Sequence, residues 1–418
     1  MSSVRNAEII AIGSELLTPL RSDTNSLHIT RRLNEVGIEV RRKTVVGDAL
    51  DDLTDAVAGA MARADLVITM GGLGPTEDDR TREAVGRATG RSFVRSEEWV
   101  DSMKDRFARA GRSLGENNLR QADILEGAEL LTNPKGTAPG QWLPGRCSIL
   151  MLPGPPRELK PLFDGEGMAR IAPLAAGTGR VLTRILRITG MTESHADSLV
   201  GPIYRDLVNP SVTILSSPGS IELHLRAVGE GVRTAEELIA GVEAQFREKL
   251  GERVYGTDDE SLETVVARML LAAKQTIATA ESCTGGLLAG RLTEIPGSSN
   301  YFLRGFVCYT NESKVDELGV PAELIAAHGA VSADVAGSMG AGARRIAAAD
   351  LGVSITGIAG PTGGSAEKPV GLVYISVADR AGVVTTENRF PGERGVVRFQ
   401  ATQRALDMIR MRLMEGSG

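Results

Sequence analysis

A chain of 418 residues is long enough to bury two or three separate cores. Its formal net charge of −6 excludes a globally basic nucleic-acid binder, and three cysteines (Cys147, Cys283, Cys308) exclude a paired disulfide framework and suit a reducing cytosol. Four scattered histidines argue against a structural zinc site, and the lack of a leader pattern or a spanning apolar run predicts a soluble, cytoplasmic protein with no membrane span and no direct nucleic-acid contact.

In chain order, Glu8–Ile12 reads as a strand, Asn25–Val36 as an amphipathic helix and Ile38–Val46 as a second strand. Asp51–Arg63 follows as a helix and Asp65–Met70 as a third strand. Ser148–Leu152 is a later core strand that ends in the rigid Pro153-Gly-Pro-Pro156. That alternation predicts parallel βαβ units covered on both faces. After a small-residue patch at Ala175–Arg180, Val181–Ile188 and Ile221–Ala227 alternate as half-buried strands, with helix signals at Thr192–Val200 and Thr234–Leu250. The polar Gly256–Ser261 then leads into a second alternating section. Its strands are expected at 275–280, 302–309, 352–356, 370–377 and 383–390, and its helices at 285–294, around Lys314, at 331–346 and up to about Arg412. The expected fold class is α/β: two three-layer α/β/α domains with mostly parallel sheets, over 1–167 and 257–418, joined by a small α+β module over 168–256.

The stretch Thr279–Gly286 hands a buried strand to a helix, and α/β sheets place ligands at such edges. A helix N-terminus there offers N–H groups to an oxyanion. Alone, Ser282 and Thr284 read as helix caps. A serine nucleophile needs a base, and His328 is the only histidine of this section. Lys314 is the other candidate, one of only eight lysines against 39 arginines (47 − 8), and a desolvated lysine can release a proton that arginine cannot. Tyr309 and Asn311 precede it, and a phenol beside the amine would relay the proton or orient the base. The rival is Cys283 with Glu281 and Lys314. Alternation along the turn lets only one of Ser282 and Cys283 face the pocket, and a free Cys is more often a small buried hydrophobe. Ser282 is favoured.

Thr356-Gly-Ile-Ala-Gly360 follows a strand, and its glycines let N–H groups approach an anion. Arg394 and Arg398 open the last helix and suit a phosphate. Gly297-Ser298-Ser299 reads either as a source of oxyanion donors or as a tight turn. Together with Thr284 and Gly285 these features describe amide or ester hydrolysis on a substrate with one phosphate. The ordered runs Ala280–Gly286, Gly297–Ser299, Tyr309-x-Asn-x-x-Lys314, His328–Ser332, Gly357–Pro361, Lys368–Gly371 and Pro391-Gly-x-Arg394 resemble the nicotinamide-nucleotide amidohydrolase domain of the competence/damage-inducible CinA family. The resemblance implies deamidation of nicotinamide mononucleotide (NMN) to nicotinic acid mononucleotide and ammonia, with no cofactor. It also implies Ser282 as nucleophile, Lys314 as base and Tyr309 nearby.

In the first section Met70–Arg80 follows the third strand. Gly72, Gly74 and Thr76 there suit a phosphate, and Glu77, Asp78 and Asp79 suit a hard cation, with helix-capping acids the plain alternative. Glu15 and Asn25 fall in neighbouring strand-end loops. Gly71-Gly-Leu-Gly-Pro-Thr-x-Asp-Asp79 resembles the molybdopterin-binding MoaB/MogA-like domain. In CinA proteins this implies metal-dependent hydrolysis (Mg, Mn or Co) of ADP-ribose to AMP and ribose 5-phosphate. Asp78 and Asp79 would then hold the metal, and Glu15 and Asn25 would line the pocket. Molybdopterin binding is the alternative. The family resemblance further implies a homodimer. The competing class is a non-enzymatic adaptor for competence or recombination proteins.

Overall fold

In the computed structural model, residues 4–109, 111, 113–175, 179–229 and 233–416 are described; the small-residue patch at 175–180 lies partly outside them. The chain divides into two compact units, Met1–Leu182 with Ala227–Leu238, and Thr183–Arg226 with Ile239–Gly418.

The first unit is built on β1 (Asn6–Ile12), α1 (Asn25–Glu35), β2 (Glu39–Val46), α2 (Leu50–Arg63) and β3 (Leu66–Met70). α3 (Thr81–Thr89), β4 (Phe93–Arg95), α4 (Glu97–Arg109) and β5 (Asp123–Leu125) come next. β6 (Glu129–Leu131), β7 (Gly140–Leu143), β8 (Ser148–Leu152) and α5 (Pro156–Leu162) follow. The main sheet runs β2-β1-β3-β8-β7-β6. Its first three pairings are parallel, and β7 and β6 add an antiparallel edge. All five residues of β3 and of β8 are buried, the pattern of central strands covered on both faces. Period-two alternation sends Ile9 into one apolar cluster and Ile10 and Ile12 into the other. The carboxyl ends of β1, β3 and β8 bring three loops to one edge.

The second unit begins with a four-stranded sheet, β10-β11-β9-β12. Its strands are β9 (Val181–Ile188), β10 (Ser211–Ser217), β11 (Ser220–Val228) and β12 (Val254–Thr257), with helices α6 (Glu193–Tyr204) and α7 (Ala235–Leu250). β11 is buried at every second residue, so the sheet covers one apolar face. α8 (Leu262–Ala273) then leads into β13 (Ile277–Glu281), α9 (Leu287–Thr293) and β14 (Phe302–Val307). α10 (Asn311–Leu318), α11 (Ala322–His328) and α12 (Ala333–Ala347) precede β15 (Leu351–Gly357). β16 (Leu372–Asp379), β17 (Gly382–Arg389) and α13 (Arg394–Glu415) close the chain.

This second sheet runs β14-β13-β15-β16-β17. β13 pairs in parallel with β14 and β15, whereas β15–β16 and β16–β17 are antiparallel. Half of its pairings are thus parallel and half antiparallel. The β16–β17 pair is antiparallel because of the tight turn after Asp379, whose Oδ1 accepts from the backbone N–H groups of Ala381 and Gly382; so short a connection joins only antiparallel strands. Ile277 packs into the cluster under α8 and α13, and Ala278 and Ala280 into that under α12, giving three layers. The helix expected at 285–294 starts at Leu287, because Gly285 and Gly286 adopt positive φ (58° and 89°).

Candidate active site

The carboxyl edge of the second sheet gathers the ends of β13, β14 and β15. Ser282 follows β13, its N–H donates to the Ile355 carbonyl at 2.9 Å, and its side chain is nearly buried at 8% exposure. Lys314 sits in the first turns of α10, fixed by the Thr310 N-cap and its reciprocal bond with Ser313. It is 1% exposed, and its Nζ lies 3.3 Å from Ser282 Oγ. The same nitrogen meets the carbonyls of Cys308 at 2.9 Å, Thr310 at 3.3 Å and Tyr309 at 3.4 Å. Burial holds the Lys314 pKa below the ordinary lysine value, against weaker opposition from Cys308, Cys283 and Glu312.

Cys283 turns the other way, into the apolar cluster beneath α13. Burial, helped by Glu281, pushes its thiol up to about 12, so it stays protonated. Glu281 is no partner of either candidate nucleophile. It is fully buried, and its carboxylate accepts from the N–H groups of Leu288 (3.0 Å) and Ala289 (2.8 Å). The first turn of α9 is thus capped from within the chain. Two of the N–H groups that a helix N-terminus would offer an oxyanion are already taken. The Glu281 carbonyl also receives the Cys308 N–H at 2.8 Å, tying Ser282's strand to the backbone that surrounds Lys314.

Tyr309 is at the site in a different role from the expected relay. Only its carbonyl meets Lys314; its phenol oxygen accepts from Arg394 Nη2 at 3.1 Å, and Arg394 Nη1 donates to the Gly360 carbonyl at 2.9 Å. Arg398 Nη2 donates to the Thr284 carbonyl at 2.6 Å. Arg398 Nε and Thr284 Oγ1 are buried with no protein partner, orphaned groups near Ser282 that call for a ligand or water. Gly285 stands against Arg398. Thr356 is buried and donates to the Ala330 carbonyl at 2.8 Å, so its hydroxyl holds the neighbouring loop. Gly357 leaves no room for a side chain, since a Cβ would press on the Leu372 carbonyl at 2.7 Å, and Gly360 has φ 80°. Asn311 is exposed at the start of α10.

Ser298 and Ser299 are not brought to this edge. They precede β14, whose Phe302 is level with Ile277, so they lie at the amino edge of the sheet; Ser298 Oγ donates to Thr293 O. One residue in a role other than the predicted one, and one without a predicted role, are prominent. Glu281 braces the Ser282 turn, and Lys368 Nζ donates to the carbonyls of His328 (2.7 Å) and Val331 (2.8 Å), closing the glycine-rich loop.

The first unit has its own cavity, of about 410 Å³, where the loops after β1, β3 and β8 meet; Glu15, Gly72, Gly74, Asp78 and Asp79 line it. Asp48, Gln121 and Glu158 also line it, each distant in sequence from the predicted motif. Asn25 borders it through a 2.8 Å bond from Nδ2 to the Gly154 carbonyl, and its Oδ1 is buried without a partner. Glu77 departs from expectation, pointing outward into an ion pair with Arg120. A Cβ at Gly74 would meet the Asp79 carboxylate at 2.4 Å, so a larger residue there would displace that carboxylate.

Thr76 Oγ1 lies 2.5 Å from Asp78 Oδ1 and 2.5 Å from Asp79 Oδ2. One hydroxyl carries one proton and cannot donate to both. Two carboxylates converging on it are a charge excess that a cation would relieve. Thr76 and local backbone bonds hold the Asp78 pKa below the usual carboxylate value. Among the described residues no three His, Cys, Asp or Glu side chains form a self-sufficient metal cage. Two carboxylates completed by substrate oxygens is the usual arrangement for Mg²⁺, so the residues fit a cation shared with a phosphate ligand.

Residues 259–413 match the family profile described as "CinA C-terminal domain". Residues 8–172 match "Probable molybdopterin binding domain" and 183–256 match "Damage-inducible protein CinA KH domain". The chain is 46% identical to a CinA-like protein of Koribacter versatilis over 98% of this chain and 100% of that one. It is 45% identical to a CinA-like protein of Solibacter usitatus over 98% of each. The crystal structure of competence/damage inducible protein CihA from Agrobacterium tumefaciens is 44% identical, covers 37% of this chain and 97% of its own, and aligns with a TM-score of 0.35. No helix among the described residues is long and apolar enough to cross a membrane.

Proposed function

The chain belongs to the CinA family, and we propose that it is a hydrolase of pyridine nucleotides with two sites. At the first, Ser282 and Lys314 deamidate NMN to nicotinic acid mononucleotide and ammonia. The observation that carries this reading is the buried 3.3 Å approach of Lys314 Nζ to Ser282 Oγ. A neutral amine has two protons and one lone pair; the protons satisfy two of the surrounding carbonyls and the lone pair accepts the Ser282 proton. Ser282 Oγ then bonds to the carboxamide carbon. Those backbone N–H groups of the turn after Ser282 that no carbonyl or carboxylate already takes would donate to the developing oxyanion. Lys314 returns the proton to the nitrogen as the C–N bond breaks and ammonia leaves. Water, losing a proton to Lys314, then attacks the acyl carbon, and Lys314 passes that proton to Ser282 Oγ as the ester bond breaks. Arg394, Arg398, Thr284 and the loop at Gly357–Gly360 would hold the ribose phosphate. Ammonia release from NMN by the purified chain tests this, and a folded protein that binds NMN without releasing ammonia would overturn it.

The second site, in the first unit, would cleave ADP-ribose to AMP and ribose 5-phosphate. A divalent cation on Asp78 and Asp79 would supply charge neutralisation of the pyrophosphate. Gly72 and Gly74 let the backbone approach its oxygens, and Glu15 and Asn25 border the sugar side. The match to a molybdopterin-binding profile favours a second reading, in which the same cavity binds a pterin phosphate without hydrolysis. Turnover of ADP-ribose separates the two. A cytoplasmic homodimer is part of the proposal.

A further inference from the structure

The second unit contains a cavity of about 560 Å³ remote from Ser282, within the size range of small-molecule sites. One wall is the end of α7 and the turn after it, around Leu250 and Arg253; the other is formed by residues of β16, β17 and α13. Val377, Val384, Leu250, Met408 and Met411 give the cavity an apolar stretch among its charged lining residues.

The floor is charged and out of balance. Arg410 and Asp407 are each 4% exposed, and Arg410 Nη2 and Nε donate to Asp407 Oδ1 at 2.7 and 3.2 Å. Arg404 Nη1 donates to the other oxygen, Oδ2, at 2.8 Å. Two guanidiniums, which stay charged at any working pH, therefore share one carboxylate and leave one positive charge over. The other lining charges are Glu248, Glu252 and Glu415 against Lys249, Arg253 and Arg412, and Arg412 is held in addition by both oxygens of Asp379, so the spare positive charge is confined to the Arg404–Asp407–Arg410 floor. Arg410 Nη1 has only the Met414 thioether, at 3.4 Å, as acceptor, and a thioether is a weak one. A buried guanidinium without an oxygen for that nitrogen, beside a cavity with an apolar stretch, is suited to a flat singly charged acceptor.

We propose that this cavity is a binding site for a small organic monocarboxylate with an apolar body, whose carboxylate completes the Arg404–Asp407–Arg410 network. A phosphate monoester carries more negative charge than the floor leaves uncompensated. The site does not depend on either hydrolytic reading, and its test reads no turnover.

The test is methyl NMR of the full chain labelled at the methionine methyls, with Met408 and Met411 assigned by substitution and benzoate as probe. Benzoate should shift both methyls saturably, and benzamide, its neutral isostere, should not. Arg404→Gln, at a side chain 34% exposed and so tolerant of change, neutralises the floor and should abolish the benzoate shift. Val384→Trp, on the exposed edge strand, should abolish it by filling the cavity while leaving the ion network intact. Methyls unmoved by benzoate, equal shifts from benzamide, undiminished binding in Arg404→Gln, or shifts from inorganic phosphate in place of benzoate would each overturn the proposal.

Discussion

Lys314 Nζ and Ser282 Oγ approach to 3.3 Å inside a shell of backbone carbonyls, with Lys314 1% exposed. The two residues lie thirty-two positions apart, and the parallel pairing of β13 with β14 returns the chain to the same sheet edge. Cys283, next to Ser282, faces the opposite way into the core. Ser282→Ala should therefore lower NMN deamidation by at least about 10³-fold. Cys283→Ala should keep turnover within a few-fold and lose about 1 kcal/mol of stability. Steady-state ammonia assays and thermal melts check both, and an active Ser282→Ala with a dead Cys283→Ala would reverse the assignment.

The acid limb of activity should belong to Lys314. Its pKa is lowered by burial, and only the neutral amine can take the Ser282 proton, so kcat should rise with pH through that folded-state pKa. The stability linkage has the same direction. Above the folded pKa the unfolded chain binds the extra proton, so stability increases with pH between the lowered folded pKa and the ordinary lysine value. Lys314→Met should abolish activity and flatten that part of the stability profile. An unchanged profile would mean that Lys314 is not the titrating group.

Much of this geometry is legible in sequence, and the exceptions have physical causes. Ser282, Lys314 and the arginines of α13 all follow strand ends or open helices, where alternating α/β patterns put ligand-facing groups. Ser298 and Ser299 instead sit in the connection from a helix back to a parallel strand, and such a connection belongs at the amino edge. The capping by Glu281 was hidden because it depends on the left-handed Gly285 and Gly286, which delay α9 until Leu288 and Ala289 stand over the carboxylate. Tyr309 was placed correctly along the chain, but spacing could not decide whether its phenol turned to Lys314 or to Arg394.

That direction has a kinetic signature. With its phenol on Arg394 and only its carbonyl on Lys314, Tyr309 is placed to orient the arginine proposed to hold the phosphate. Tyr309→Phe should raise KM with kcat nearly unchanged. Arg394→Ala removes a charged hydrogen-bond donor, a loss of about 1.5–3 kcal/mol, and should raise KM roughly ten- to a hundredfold. A hundredfold fall in kcat for Tyr309→Phe at constant KM would restore the proton-relay role.

Glu281 should act by position. In Glu281→Gln the amide has one acceptor oxygen for two N–H groups, leaving a buried donor unmet at a cost of about 1–3 kcal/mol. The Ser282 turn lies between the strand and the helix that this carboxylate joins. The expected result is a lower melting temperature together with kcat reduced about tenfold or more and KM little changed, since the displaced atom is the nucleophile. A drop in melting temperature with wild-type kcat would assign Glu281 to the fold alone.

The first unit offers the sharpest test of a cation. Asp78 and Asp79 converge on the single proton of Thr76 Oγ1. If a divalent ion relieves that convergence, it should bind more weakly to Asp79→Asn, and ADP-ribose hydrolysis should fall by at least about 10²-fold. EDTA should silence the unmodified chain and added Mg²⁺, Mn²⁺ or Co²⁺ restore it, while NMN deamidation stays unaffected under the same treatment. Isothermal titration with the metal alone provides a readout apart from turnover. Thr76→Val removes the shared proton but leaves both carboxylates, so the cation becomes their only common partner and should still bind. ADP-ribose turnover that survives EDTA would remove the metal from this site.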